Sequence, residues 1–140
     1  RFDAGHSVLA ASVAAAYLDD GELWRHVEEH NAALRKKRDA LLESLDQHLE
    51  GFCTWLAPIG GLFLWLGLPP DTDLDLLERR AGEHDVLFVR GAHFHIDGAD
   101  LPWLRLAFGY PTVAEIQRGI PLLADSINEA QAGAEAAAGS

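Results

Sequence analysis

The run Leu62-Phe63-Leu64-Trp65-Leu66-Gly67-Leu68 stands between paired glycines, Gly60-Gly61, and paired prolines, Pro69-Pro70, and carries no charge. Its apolar residues show no helical spacing, so the run predicts a strand with apolar side chains on both faces, the most buried strand of the fold. Such a strand needs a hydrogen-bonding partner. Trp103 to Phe108 is the candidate, with Leu104, Leu106 and Phe108 on one face and Trp103, Arg105 and Ala107 on the other. Arg105 therefore sits alone among apolar neighbours. An unpaired buried charge is costly, so either a structural carboxylate or a ligand carboxylate must answer it.

The flanking segments complete an α+β pattern. Ser7 to Leu18 is alanine-rich and predicts a short buried helix, with Ser7 near its start and Asp19-Asp20-Gly21 at its stop. From Glu22 to about Leu49 no proline or glycine intervenes, and Leu23, Val27, Leu34, Leu41 and Leu45 mark one stripe of a long amphipathic helix. Arg35-Lys36-Lys37-Arg38 reads as its solvated face. Cys53 to Leu56 predicts a strand turning through Ala57-Pro58-Ile59-Gly60 into the central run, with Gly60-Gly61 as a hairpin device. Asp73 to about His84 predicts a helix, and Val86 to Val89 a third strand stopped by Arg90-Gly91. Thr112 and Glu115 form a capping box ahead of a helix carrying Ile116, Ile120, Leu123 and Ile127, in which Pro121 predicts a kink or a loosened turn. The expected architecture is a small antiparallel sheet of about four strands packed against helices, one of them long and amphipathic. Residues 1–130 form the domain, and 131–140, without a large apolar side chain, a frayed or disordered tail.

At 140 residues and 49% hydrophobic, the chain has material for one core. Its 22 acidic against 11 basic residues give a formal net charge of -11, which disfavours general affinity for nucleic acid or anionic membranes. A single cysteine, Cys53, forms no internal disulfide, which makes a cytoplasmic location the default. No apolar run reaches membrane-spanning length. Arg1-Phe2-Asp3 resembles no signal peptide, and the chain reads as a piece of something longer.

Few residues suggest chemistry. His26-Val27-Glu28-Glu29-His30 matches the His-x-x-Glu-His spacing of one zinc-protease class, but no third ligand is identifiable, and two solvated histidines are the plainer reading. His93 and His95 read as a loop pair for the same reason, so no metal is expected. Nothing near Cys53 would lower its pKa, which favours a buried structural thiol over a nucleophile.

The order of segments resembles the C-terminal small domain of fold-type I, pyridoxal-phosphate-dependent aminotransferases of class I/II, in the branch of aminoadipate, aromatic and branched-chain enzymes. The resemblance covers about residues 6–129. It is carried by the alanine-rich helix to Tyr17-Leu18, Lys37-Arg38-Asp39-Ala40-Leu41-Leu42, Pro58-Ile59-Gly60-Gly61-Leu62-Phe63-Leu64-Trp65, Val86-Leu87-Phe88-Val89-Arg90-Gly91, Leu104-Arg105-Leu106-Ala107-Phe108 and Glu115-Ile116-Gln117-Arg118-Gly119-Ile120. It implies that Arg105 binds the substrate α-carboxylate, with amino-acid and 2-oxo-acid substrates, a homodimeric parent, and pyridoxal 5'-phosphate held by a Schiff-base lysine in a preceding large domain. Lys36 and Lys37 match no cofactor motif, so these 140 residues alone are expected to be inactive. The same domain type occurs as the effector part of winged-helix transcription regulators, the one reading that would add nucleic acid as a partner. A stand-alone α+β binding module is the remaining alternative.

Overall fold

A computed structural model of the chain describes residues 7–99 and 101–138. The chain divides into two compact units, the first ending at Arg35 and the second beginning at Lys36.

In the first unit, α1 (Val8–Asp19) is capped by Ser7, whose hydroxyl accepts the Ala10 N–H at 3.4 Å. None of its residues is buried, contrary to the expectation of a buried helix. Its alanines favour helix by propensity alone, and its larger apolar residues Val8, Leu9 and Val13 stay exposed. The helix α2 (Glu22–Leu49) runs as the sequence predicts and opens in this unit. Here its exposed surface carries Arg25 paired with Glu22 and Glu29, and the His26 and His30 rings stacked with centroids 6.0 Å apart.

The second unit is a four-stranded antiparallel sheet in the order β1-β2-β4-β3, with helices over one face. β2 (Phe63–Gly67) and β4 (Trp103–Ala107) are the two central strands, and Leu64 pairs with Leu106 while Leu66 pairs with Leu104. These four leucines and Phe108 meet Leu41, Leu45 and Leu49 of α2, Leu74, Leu77 and Ala81 of α3 (Leu74–Glu83), and Ile116, Ile120, Leu123 and Ile127 of α4 (Val113–Ala138). β2 is not covered on both sides, however. Among the described residues of the second unit the helical layer lies on the leucine face, and Phe63 and Trp65 on the other remain 43% and 40% exposed.

The outer strands are shorter than the sequence predicts. β1 is Thr54–Trp55, paired with Gly67 and Leu66, and β3 is Val89–Arg90, paired with Arg105 and Leu104. The predicted third strand loses its first residues to the end of α3. Asp85 takes a left-handed conformation (φ 57°), its N–H reaches the Gly82 carbonyl and that of Val86 the Ala81 carbonyl, the paired bonds of a Schellman motif with aspartate in the usual glycine place. Val86 is thereby committed to the helix terminus.

The basic run of α2 also departs from a purely solvated face. Lys37 is half-buried and donates from Nζ to the Gly109 carbonyl at 2.9 Å, tying α2 to the turn after β4. α4 is helical across Pro121 and through 131–138, where the sequence reading places the frayed tail. The capping box forms as expected: the Thr112 hydroxyl accepts the Glu115 N–H, and Glu115 accepts both the N–H and the hydroxyl of Thr112 at 2.7 Å. Those two bonds, the backbone one foremost, hold the Glu115 carboxyl below its ordinary value.

A carboxyl whose native pKa is lowered contributes stability above its unfolded value, and that contribution is lost as pH falls through the native value. Thr112→Ala, which removes the hydroxyl's bonds to the Glu115 carboxylate and N–H, is expected to lower the melting temperature at neutral pH. Thermal melts should show the gap from wild type narrowing as the pH drops below the ordinary carboxylate range.

Candidate functional site

Strand alternation sends β4 side chains to opposite faces, so while Leu104 and Leu106 enter the core, Trp103, Arg105 and Ala107 project from the uncovered side. Phe63 and Trp65 of β2 share that side, with Trp65 directly opposite Arg105 and Val89 of β3 opposite it on the other flank. After β3 the chain makes a 3-10 turn, Gly91–Phe94, which lies against β4 and adds Phe94 to the same surface. Phe63, Trp65, Phe94 and Trp103 are each between 40% and 47% exposed. A contiguous aromatic surface of this kind marks a place where something binds.

Arg105 sits in the middle of it. Its guanidinium carbon lies 4.1 Å from the Phe63 ring centroid and 4.4 Å from that of Phe94, two cation–π contacts. Trp65 meets Phe94 edge to face, with centroids 5.2 Å apart and planes at 89°. No carboxylate of a described residue pairs with Arg105, and its Nε is buried without a hydrogen-bond partner, the one side-chain nitrogen or oxygen so placed among the described residues.

The neighbouring arginine shows the alternative. Arg90, paired with Leu104, points to the helical side, where Nη1 meets Asp75 Oδ1 at 2.6 Å and Glu78 Oε2 at 3.4 Å on α3. One arginine is answered by acids of its own domain, the other by aromatic rings. Sequence reasoning treated Arg90 only as a strand stop and did not assign Phe63 or Phe94 to Arg105. The Phe63 contact needs the β2–β4 register, and Phe94 comes from a turn with no periodicity to announce it.

Two shallow cavities open among the aromatic rings of this surface, without Arg105 in their lining. One of about 280 Å³ is bounded by Trp55, Leu56, Pro58, Phe63, Trp65 and Trp103, the other of about 290 Å³ by Trp65, Gly91, Phe94, His95, Leu101 and Trp103. Gly67 makes room for the indole between them, since a Cβ there would stand 2.5 Å from Thr54 Oγ1 and 3.0 Å from the Trp103 ring.

The remaining candidates stay apart from this surface or carry no ligand set. His93 and His95 are both exposed, and His95 lines the second cavity. Among the described residues no three His, Cys, Asp or Glu side chains form a group fit for a metal ion. Cys53 is buried in the core, which pushes its thiol up to about 11 and keeps it protonated at neutral pH. No described helix is long and apolar enough to cross a membrane.

The uncovered face of this α+β layer pair thus carries an arginine within an aromatic surface. The chain belongs to the aminotransferase class I and II family, whose model matches residues 2–121. It is 31% identical over 84% of its length to aromatic-amino-acid aminotransferase 1 of Thermococcus litoralis, covering 28% of that protein. It is also 31% identical over 91% of its length to the uncharacterized HTH-type transcriptional regulator YdfD of Bacillus subtilis, covering 26% of it. The multiple substrate aminotransferase of Thermococcus profundus superposes over 84% of this chain and 29% of its own, with a TM-score of 0.78 and 30% identity. The α-aminoadipate aminotransferase LysN of Thermus thermophilus gives 0.76 and 29% over the same share, 30% of its own chain. The aminoadipate and aromatic branch of the fold-type I enzymes, indicated by the sequence motifs, is thus the right neighbourhood. The chain spans under a third of the length of each of these relatives.

Gly67→Ala is expected to displace the Trp103 indole or the Thr54 hydroxyl and to destabilise the domain by about 1–3 kcal/mol, the usual cost of overpacking. A lowered melting temperature with a red-shifted tryptophan emission would register it. An unchanged emission spectrum would contradict this packing.

Proposed function

We propose that this chain is the small domain of a pyridoxal-phosphate-dependent aminotransferase and that Arg105 binds the α-carboxylate of the amino acid and of the 2-oxo acid. The observation that carries the reading is the state of Arg105: a guanidinium on an open aromatic surface with no acid among the described residues, while Arg90 on the same sheet meets Asp75 and Glu78. Its planar fork matches a carboxylate with two parallel hydrogen bonds, which an ammonium cannot copy. The surrounding rings lower the local dielectric and strengthen that pair once a facing domain closes the cleft. The cavities lined by its aromatic neighbours are apolar, which suits uncharged substrate side chains.

The chain's own residues do not fit the role of cofactor tether. Lys37 is committed to the Gly109 carbonyl, and Lys36 is exposed on α2. The group-transfer chemistry therefore rests with a cofactor held by the large domain of the parent, and the part of this chain is to bind and orient the substrate. A homodimeric parent accompanies this reading.

The match to the HTH-type regulator supports a second reading, an effector domain in which the same arginine reports an amino acid or oxo acid to a DNA-binding segment. The two differ in turnover and share the role of Arg105. In the full-length protein, Arg105→Lys should weaken amino-acid and 2-oxo-acid binding by roughly tenfold to a hundredfold, the worth of a charge-assisted pair. Cofactor absorbance should stay unchanged. A lowered melting temperature with substrate affinity intact would instead make Arg105 a structural residue.

A further inference from the structure

We infer that Phe94 is a positioning residue for Arg105, setting the guanidinium so that it receives a carboxylate end-on through its two terminal nitrogens; this rests on the carboxylate-binding reading above. Arginine has more rotamer freedom than almost any side chain, and a ligand that must first immobilise it binds less tightly. An ion pair would ordinarily hold such a side chain, as Asp75 and Glu78 hold Arg90. Arg105 has none among the described residues, and what holds it is the pair of rings at 4.1 and 4.4 Å. Its Nε is closed to solvent, so the side-on edge of the fork is shut, and the terminal nitrogens are left as donors for an incoming ligand.

The two rings are not equivalent. Phe63 stands on a central strand whose place is set by pairing with Ala107. Phe94 stands at the end of the Gly91–Phe94 turn and is held by the edge contact with Trp65 and by the turn's packing on β4. Trp65 is itself the cross-strand neighbour of Arg105. Trp65, Phe94 and Arg105 thus form a closed set in which each side chain limits the next, and removing Phe94 frees the guanidinium while leaving its charge and its strand intact.

The test is calorimetric binding of 3-phenylpropionate to the cofactor-loaded full-length protein and its variants. Phe94→Leu, which keeps apolar bulk and loses the π face, should weaken binding by about three- to thirtyfold, the range of a partly desolvated cation–π contact. Phe94→Tyr should bind within about twofold of wild type, because the ring face is retained. In an Arg105→Gln background Phe94→Leu should add less than about twofold, the non-additivity of residues that act through one another. Should Phe94→Leu not fold, fluorinated phenylalanines at position 94 keep the shape and weaken the ring face, and affinity should fall in step with fluorination. Undiminished binding by Phe94→Leu while Arg105→Gln is impaired would overturn the inference and leave the carboxylate reading standing. An equal loss with or without Arg105 would also overturn it, making Phe94 a packing residue. A wild-type protein that binds neither 3-phenylpropionate nor L-phenylalanine, or an Arg105→Gln variant that binds as well as wild type, would remove both.

Discussion

The antiparallel pairing of β2 with β4 is the interaction on which the rest of the second unit depends. Its register sets Leu64 beside Leu106 and Leu66 beside Leu104 on one face, and Trp65 beside Arg105 on the other. A one-residue slip of β4 would send Arg105 into the leucine core and its leucines to the open side, and one of β2 would turn Phe63 and Trp65 inward. The hydrophobic burial that stabilises the domain and the placement of its arginine are therefore specified by the same hydrogen bonds. Packing and the placement of the arginine are thus linked through one register.

The two arginines of the sheet show how environment divides one side-chain chemistry into two tasks. Arg90 and Arg105 stand on neighbouring strands, one register step apart, yet alternation sends them to opposite sides. On the helical side the α3 carboxylates are in reach, and the charge is neutralised within the domain. On the open side it meets quadrupoles, which attract a cation without neutralising it or accepting its N–H protons. Such a group keeps most of its capacity for an external anion. Aromatic contacts suit a site whose ligand must come and go, because they orient the guanidinium and do not compete for its hydrogen bonds.

Much of this was legible in the residues. The long helix, the capping box, the two central strands and the division of β4 into a leucine face and an arginine face all follow from periodicity and turn chemistry, and the structure has them. What could not be read depends on tertiary geometry. Phe63 and Trp65 sit in a run apolar at nearly every position, and only the helices' presence on one side decides which residues stay open. The early part of the predicted third strand was claimed by the Schellman motif at Asp85, where aspartate takes a backbone conformation that glycine usually marks. Lys37 looked like one more surface cation until the turn at Gly109 came within reach. Arg105 was singled out for its isolation in an apolar strand, and its aromatic neighbours came from a strand and a turn that local sequence does not connect.

The uneven lengths of the strands carry a consequence for the molecule's behaviour in company. An uncovered apolar sheet face is a hazard when the sheet also ends in long, flat strands, because their free N–H and C=O groups invite another chain to add on. Here both outer strands are only two residues long, and each leads at once into something that is not a strand: β1 into a proline-containing loop, β3 into a tight 3-10 turn. A foreign strand would find almost no ladder to extend. The sheet can keep a sticky surface open because its borders offer no grip for fibril-like growth.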